Sequence, residues 1–118
     1  MPARDRELAI LQVAVLNRAP YEFEQHIPFA RDAGVTGAQI EAMRGGRTDP
    51  DTPPRDRAVI DYATAMTRDI QVPDGVFEAL RKHLPADQIV ELTATVAGYN
   101  MVSRFLEALE IHEEPSRP

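Results

Sequence analysis

Residues 4–17 read RDRELAILQVAVLN, and this stretch decides the fold. After Glu7 it carries a single polar residue, Gln12, before Asn17, so a helix through it is apolar on nearly every side. A helix that is apolar all round is usually buried on all sides, here inside the fold or between subunits. The sequence therefore predicts a buried helix at the start of the chain.

Helical spacing of apolar residues continues through the rest of the chain. It predicts helices over about 21–33, over 36–44 with a Thr36–Gln39 capping box, and over 87–109. Two more helical faces are marked by Val59, Tyr62, Ala63, Met66 and Ile70, and by Val76, Phe77, Leu80 and Leu84. No segment alternates with period two, so the sequence predicts an all-α fold of about six helices.

The length of 118 residues fits one domain, spanning 1–118. The segment GGRTDPDTPP, residues 45–54, is rich in Gly, Pro and Asp and is interpreted as an internal loop. The polar end HEEPSRP, residues 112–118, is predicted to be a frayed tail. The first and last helices carry more apolar surface than one packing partner needs, which favours self-association.

Composition excludes several classes of function. The net charge is −6 and the 13 Lys and Arg residues are scattered, so nucleic acid is not an expected partner. No apolar run approaches the ~20 residues that span a bilayer. No export signal opens the chain, so we expect a cytoplasmic protein. The absence of cysteine excludes disulfides, thiolate nucleophiles and iron–sulfur ligation.

Three ionisable residues lie on helix faces that are otherwise apolar. In NRAPYEFEQHIPF, residues 17–29, Glu22 and His26 fall inside the apolar arc of their helix, and Glu7 falls inside the apolar surface of the first helix. A carboxylate avoids such a position unless it has a partner. The turn at residues 17–20 lets the two helices pack as a hairpin, so the three side chains can meet.

Such a trio has three interpretations. Burial lowers the pKa of a histidine, and a neighbouring carboxylate raises it again. The result can be an acid or base suited to proton transfer. The trio can instead be structural, with His26 donating to Glu22 while Glu7 binds Arg4 or Arg104. The third interpretation is a metal site made by the same side chains.

Two stretches carry a resemblance to a known family. Residues 4–35, RDRELAILQVAVLNRAPYEFEQHIPFARDAGV, and residues 99–111, YNMVSRFLEALEI, resemble the carboxymuconolactone decarboxylase and AhpD-like superfamily. Its peroxidase branch is marked by a Glu, a Cys-x-x-Cys and a His. Here Glu7 and His26 match the outer positions, but Ala19 and Glu22 stand where the two cysteines would be. Thiol peroxidase chemistry is therefore excluded for this chain acting alone.

The decarboxylase branch resembles the chain more closely, because it has a Glu at the position of Glu22. This resemblance implies an AhpD-like helical subunit in a homotrimer or hexamer, without cofactor or metal. The named reaction removes CO2 from 4-carboxymuconolactone. Members of this branch often carry further helices before the matching segment, whereas only MPA precedes it here. A pocket wall formed by those helices is then expected to be missing.

The resulting hypothesis is a cofactor-free lyase or isomerase that acts on a small carboxylate or lactone. His26 is the expected general acid/base, Glu22 is expected to orient it, and Glu7 is expected to assist. The expected substrate-binding residues are Tyr21, Tyr99 and Asn100 as hydrogen-bond donors to an enolate oxygen, and Arg104 as the cation. The alternative is a non-catalytic oligomeric binding module with a remnant pocket.

Overall fold

The computed structural model describes residues 1–111, and within them it has six helices. These are α1 (Ala3–Leu16), α2 (Pro20–Asp32), α3 (Gly37–Arg44), α4 (Pro54–Asp69), α5 (Asp74–Arg81) and α6 (Ala86–Ala108). No strand occurs in this part of the chain, and the predicted all-α class is confirmed. The predicted frayed tail, residues 112–118, lies outside the described residues.

Helix α1 is the centre of the fold. It packs against α2, α4 and α6, and from Leu8 to Ala14 every residue except Gln12 is buried. Gln12 donates a hydrogen bond to Thr64 on α4 at 3.0 Å. The apolar surface of α1 is therefore covered within a single chain.

Two Arg-Asp pairs hold the start of α1 against the start of α4. Arg4 makes hydrogen bonds of 2.6–3.1 Å to the carboxylate of Asp56, and Arg55 makes hydrogen bonds of 2.8 and 3.2 Å to the carboxylate of Asp5. Both aspartates are buried. Arg55 also donates to the carbonyl of His83 at 3.0 Å, which connects the loop after α5 to this end of the bundle.

Helices α2 and α3 begin and end as their sequences predict. Pro20 occupies the first turn of α2, and Gly34, at φ +95°, follows its last turn in the left-handed region that glycine favours. The predicted Thr36–Gln39 capping box is present. The Gln39 amide also donates to Asp56 at 2.8 Å, so this cap is joined to the Arg4–Asp56 pair.

The end of α4 differs from the prediction. Ile70 is not part of the buried face of the helix: it follows the last residue, adopts φ +65° and is 85% exposed. The apolar spacing predicts a helix that is one residue too long. Val72 and Pro73, which belong to the connection to α5, show in the sequence that the end of the helix is near. The residues between α3 and α4, 45–53, form the connection predicted as the loop 45–54.

Helix α6 has a buried face formed by Ile89, Leu92, Val96 and Ser103. The opposite face carries the exposed side chains of Val90, Met101 and Phe105. Among residues 1–111, no helix combines the length and the apolar character needed to cross a membrane.

We expect Asp56→Ala to lower the free energy of unfolding by about 2–4 kcal/mol. It removes the carboxylate partner of Arg4 and the acceptor of the buried Gln39 amide. Urea denaturation measures the change. Asp69→Ala, on the exposed end of the same helix, is the matched control and should change it by no more than about 0.5 kcal/mol. A loss below about 1 kcal/mol for Asp56→Ala would show that the pair is not structurally important.

We expect Ile70→Gly to raise the free energy of unfolding by about 0.5–1 kcal/mol. Glycine adopts a positive φ without the steric cost that a branched side chain has there. We expect this gain to exceed the loss from the conformational entropy that glycine adds to the unfolded chain. Ile70→Ala keeps the Cβ atom and should gain little. Thermal and urea unfolding of the three proteins compare them, and a less stable glycine variant contradicts the expectation.

Candidate functional site

The hairpin of α1 and α2 brings Glu7 and His26 into contact. The Nδ1 atom of His26 lies 2.8 Å from Oε1 of Glu7, and Nε of Arg6 donates to the other oxygen of Glu7 at 3.0 Å. The Glu7 side chain is 3% exposed and the His26 side chain 19% exposed. The carboxylate is thus closed off from water, while the imidazole is partly open to it.

Glu22 lies on the same face of α2 but has a different partner. It is buried, and the Ser103 hydroxyl on α6 lies 3.0 Å from its Oε2. Its other oxygen, Oε1, has no hydrogen-bond partner in the described part of the chain. The predicted orientation of His26 by Glu22 is therefore wrong: Glu7 makes that contact, because α1 presents its carboxylate to the imidazole while α6 takes up Glu22.

The hydroxyl of Ser103 indicates how Glu22 is protonated. Its Oγ lies within hydrogen-bond distance of two acceptors, Glu22 Oε2 at 3.0 Å and the Tyr99 carbonyl oxygen at 2.9 Å, but a hydroxyl has one proton. Both contacts are satisfied when a protonated Glu22 donates to Ser103 and Ser103 donates to the carbonyl. Burial favours the same state, since it raises the pKa of the Glu22 carboxyl above its ordinary value.

Glu7 is shifted the other way. Burial raises the pKa of its carboxyl, but the hydrogen bonds from His26 and Arg6 outweigh burial, so the pKa lies below its ordinary value. Glu7 is therefore the ionised carboxylate of the pair and Glu22 the one that keeps its proton more readily. When the pKa values of two carboxyls are separated in this way, one carboxyl can serve as a base and the other as an acid.

Two aromatic rings enclose the imidazole. Tyr99 meets His26 edge to face with ring centroids 5.3 Å apart, and Phe29 lies at 5.8 Å in a tilted arrangement. Burial and the charges of Glu7 and Glu22 raise the pKa of the Tyr99 phenol, which keeps it a hydrogen-bond donor. The site thus combines an imidazole, two unlike carboxyls and a phenol.

The other predicted substrate-binding residues lie elsewhere or are already engaged. The Asn100 amide donates to Thr67 and to the Val96 carbonyl, and its oxygen accepts from Asn17 at 2.9 Å. Arg104 donates to the carbonyl and side-chain oxygens of Asn100, at 3.1 and 2.9 Å, in place of the predicted partner Glu7. Tyr21 is half-buried, and no described contact joins it to His26.

Sequence reasoning missed Ser103 and Arg6. Ser103 lies on the same face of α6 as Val96 and Tyr99, and a hydroxyl among core positions is the signal that could have found it. Arg6 is adjacent to Glu7 in the chain, and helical neighbours at that spacing normally point apart. In residues 1–111, no three His, Asp or Glu side chains form a group able to hold a metal ion.

An open cavity of about 410 Å³ lies on another side of α2. Its lining includes Ala19 and Phe23, with Arg18 and Arg44 contributing the cationic groups. None of Glu7, Glu22 and His26 lines it. The hairpin of α1 and α2 therefore borders both this cavity and the site around His26, and the two are separate.

Comparison with known proteins identifies the family. The sequence pattern of the carboxymuconolactone decarboxylase family matches residues 1–65, which is more than half of the chain. The chain belongs to the carboxymuconolactone decarboxylase family. The match includes all of α1 and α2, and so includes Glu7, Glu22 and His26. No curated protein matches the sequence.

A solved structure shows the same fold. It is a crystal structure of an Agrobacterium tumefaciens protein, described there as of unknown function and as a candidate antioxidant defence protein AhpD. The TM-score is 0.83 at 24% sequence identity, over 98% of this chain and 77% of that one. At this identity the likeness establishes the AhpD-like fold, which the sequence predicts, and not an activity.

We expect Glu22→Gln to become more stable relative to the unsubstituted protein as pH rises above 4.5, the ordinary pKa of the carboxyl. The raised pKa means that folding favours the protonated acid, so its stabilisation is complete below pH 4.5 and is lost as pH rises through the folded-state value. Each unit of raised pKa contributes about 1.4 kcal/mol.

Urea denaturation between pH 4 and 8 measures this difference. Asp32→Asn, exposed on the same helix, supplies the comparison for a solvated carboxyl. A difference between Glu22→Gln and the unsubstituted protein that does not change with pH would show that Glu22 ionises as readily in the folded chain as in the unfolded one.

Proposed function

We propose that this protein is a cofactor-free lyase or isomerase that moves a proton on a small carboxylate or lactone. The observation that carries the proposal is the 2.8 Å contact between His26 and a buried, ionised Glu7, beside a second carboxyl whose pKa is raised. Family membership supports the lyase class, and the absence of cysteine excludes thiol peroxidase chemistry.

The Glu7 contact defines which imidazole nitrogen reacts. An ionised carboxylate accepts a hydrogen bond and cannot donate one, so Nδ1 of His26 carries a proton directed at Glu7. In the neutral ring the lone pair is then on Nε2. His26 can take a proton at Nε2 and return it, while Glu7 stabilises the imidazolium that forms in between.

Decarboxylation of a lactone acid uses these groups in a definite order. The bond to the departing CO2 breaks, its electron pair is delocalised onto the lactone carbonyl as an enolate, and a ring carbon then takes up one proton. The Tyr99 phenol is a donor suited to the enolate oxygen, and the His26 imidazolium supplies the proton to carbon. The product is the enol-lactone, and His26 recovers its proton from water.

The proposal includes the cellular setting that the sequence suggests: a cytoplasmic homo-oligomer, as a trimer or hexamer. An oligomer suits a partly exposed His26, because a neighbouring subunit can cover its open side. A non-catalytic binding module is the second candidate. It is favoured by the separate 410 Å³ cavity, which has apolar walls and two arginines but no proton-transfer group from the trio.

His26→Gln should lower kcat for CO2 release from 4-carboxymuconolactone by about 10²–10⁴-fold, because it removes the group that delivers the proton. The melting temperature should change little, since His26 is partly exposed. His83→Gln, a half-buried histidine after α5, is the matched control and should keep full activity. In D2O the product should carry one deuterium on carbon.

Two outcomes would contradict the enzyme proposal. One is equal loss of folding and activity in His26→Gln, which means a structural imidazole. The other is binding of the lactone without turnover by the unsubstituted protein, with the same affinity in His26→Gln. Calorimetric titration measures that affinity, and this second result would support the binding module.

A further inference from the structure

Arg6 is the basic side chain that contacts the site around His26. Its Nε donates to Oε2 of Glu7 at 3.0 Å, and Oε1 of the same carboxylate lies 2.8 Å from Nδ1 of His26. The guanidinium and the imidazole therefore flank one carboxylate. Burial raises the pKa of the Tyr99 phenol, and the charge of Arg6 opposes this shift, so the guanidinium also lies near that ring.

Most of the hydrogen-bond donors of Arg6 are still available. A guanidinium carries five N–H groups in a fixed plane. Within residues 1–111, Glu7 is the described partner of the Arg6 side chain, and it takes up the Nε–H alone. The N–H groups of Nη1 and Nη2 remain, on a side chain that is 47% exposed. These groups can bind a second carboxylate in the two-pronged arrangement that arginine favours.

The arginine that the sequence predicts as the cation of the site is bound elsewhere. Arg104 donates to the carbonyl and side-chain oxygens of Asn100, and no described contact joins it to His26. Arg6, by contrast, is bonded to the Glu7 carboxylate that also binds His26. An anionic substrate at the imidazole needs a nearby cation with free donors, and Arg6 meets both conditions.

We propose that Arg6 binds a carboxylate that the substrate keeps during the reaction, and that the site thereby selects lactone acids over uncharged lactones. The assignment rests on the proposed function for the location of the substrate, next to His26. The carboxylate that departs as CO2 is not the one bound, because a cation on it would stabilise the charge that has to move onto the lactone carbonyl. Arg6 is thus a binding residue that also fixes the orientation of the substrate.

The charges around Arg6 allow a second carboxylate there. The charge of Glu7 is shared between the guanidinium and the imidazole, and burial favours the uncharged form of Glu22 by raising its pKa. The charge of Glu107 also raises the pKa of Glu22, and it opposes an incoming anion. Glu107 follows Ser103 by one turn of α6, so it lies on the Glu22 side of the site. An anion is therefore favoured on the Arg6 side.

Two related ligands test the assignment. The saturated lactone acid (5-oxooxolan-2-yl)acetate carries the retained carboxylate but no group to lose, and its methyl ester lacks the charge. NMR titration of the His26 ring signals, assigned with His26→Gln, measures Kd for each. The unsubstituted protein should bind the acid about tenfold more tightly than the ester, as expected for charge-assisted hydrogen bonds from a partly exposed guanidinium. Arg6→Met should abolish this preference.

The ratio of the two affinities is the quantity to compare, because Arg6→Met also removes a hydrogen bond from Glu7 and can weaken both ligands alike. Arg104→Met removes the same charge at the position that the sequence predicts, and it should keep the full preference for the acid. Arg6→Lys keeps the charge without the planar fork of donors and should retain part of the preference. Circular dichroism confirms that each variant is helical.

Failure of this assignment can be told apart from failure of the proposed reaction. A preference for the acid that is lost in Arg6→Met, without turnover of 4-carboxymuconolactone by the unsubstituted protein, supports the assignment and contradicts the lyase. Equal affinity for acid and ester, no binding of the acid, or an unchanged preference in folded Arg6→Met overturns the assignment, whatever the turnover. Should Arg6→Met not fold, the NMR signal of the Arg6 Nε–H decides: the acid must shift it and the ester must not.

Discussion

The enclosure of α1 by three other helices is the constraint on which the rest of the structure depends. Along the middle of this helix only Gln12 reaches water, so the buried polar groups on it must find partners inside the fold. Asp5 is paired with Arg55, Glu7 with Arg6 and His26, and Gln12 with Thr64. The same requirement that fastens α1 to α4 therefore also brings an imidazole from α2 against a buried carboxylate.

The chemistry of the site follows from what each carboxyl meets. Glu7 and Glu22 are about equally buried, so desolvation acts on both in the same direction. Glu7 receives hydrogen bonds from two groups that can carry positive charge, and these outweigh the cost of burial. Glu22 faces a neutral hydroxyl, whose contact lowers the pKa of Glu22 by less than burial raises it. The difference in partners thus shifts the pKa values of the two carboxyls in opposite directions.

Helical periodicity was sufficient to predict the all-α class and to select the three ionisable residues, whereas the AhpD-like fold was predicted from the family resemblance. The angular position of a residue around its own helix shows whether it faces the core, and Glu7, Glu22 and His26 all do. The choice of partner depends on how far α1, α2 and α6 are shifted along one another, which periodicity does not contain. For this reason Glu22 was paired with His26, and Ser103 was missed. The prediction that Ile70 belongs to the buried face of α4 is wrong for another reason. The backbone enters the left-handed region at this residue and ends the helix, although the side chain is apolar.

The absence of cysteine changes the kind of reaction that this fold can support. The resemblance implies a thiol at the position of Glu22 in the peroxidase branch, where it must give up electrons to a peroxide. A carboxyl cannot be oxidised in that way, but burial raises the pKa of Glu22 and so favours its protonated form. His26 matches both branches, and proton movement is needed in either chemistry. Ala19 and Glu22 in place of the two cysteines thus remove the redox site, and the side chains that remain are those of the proton transfer that we propose.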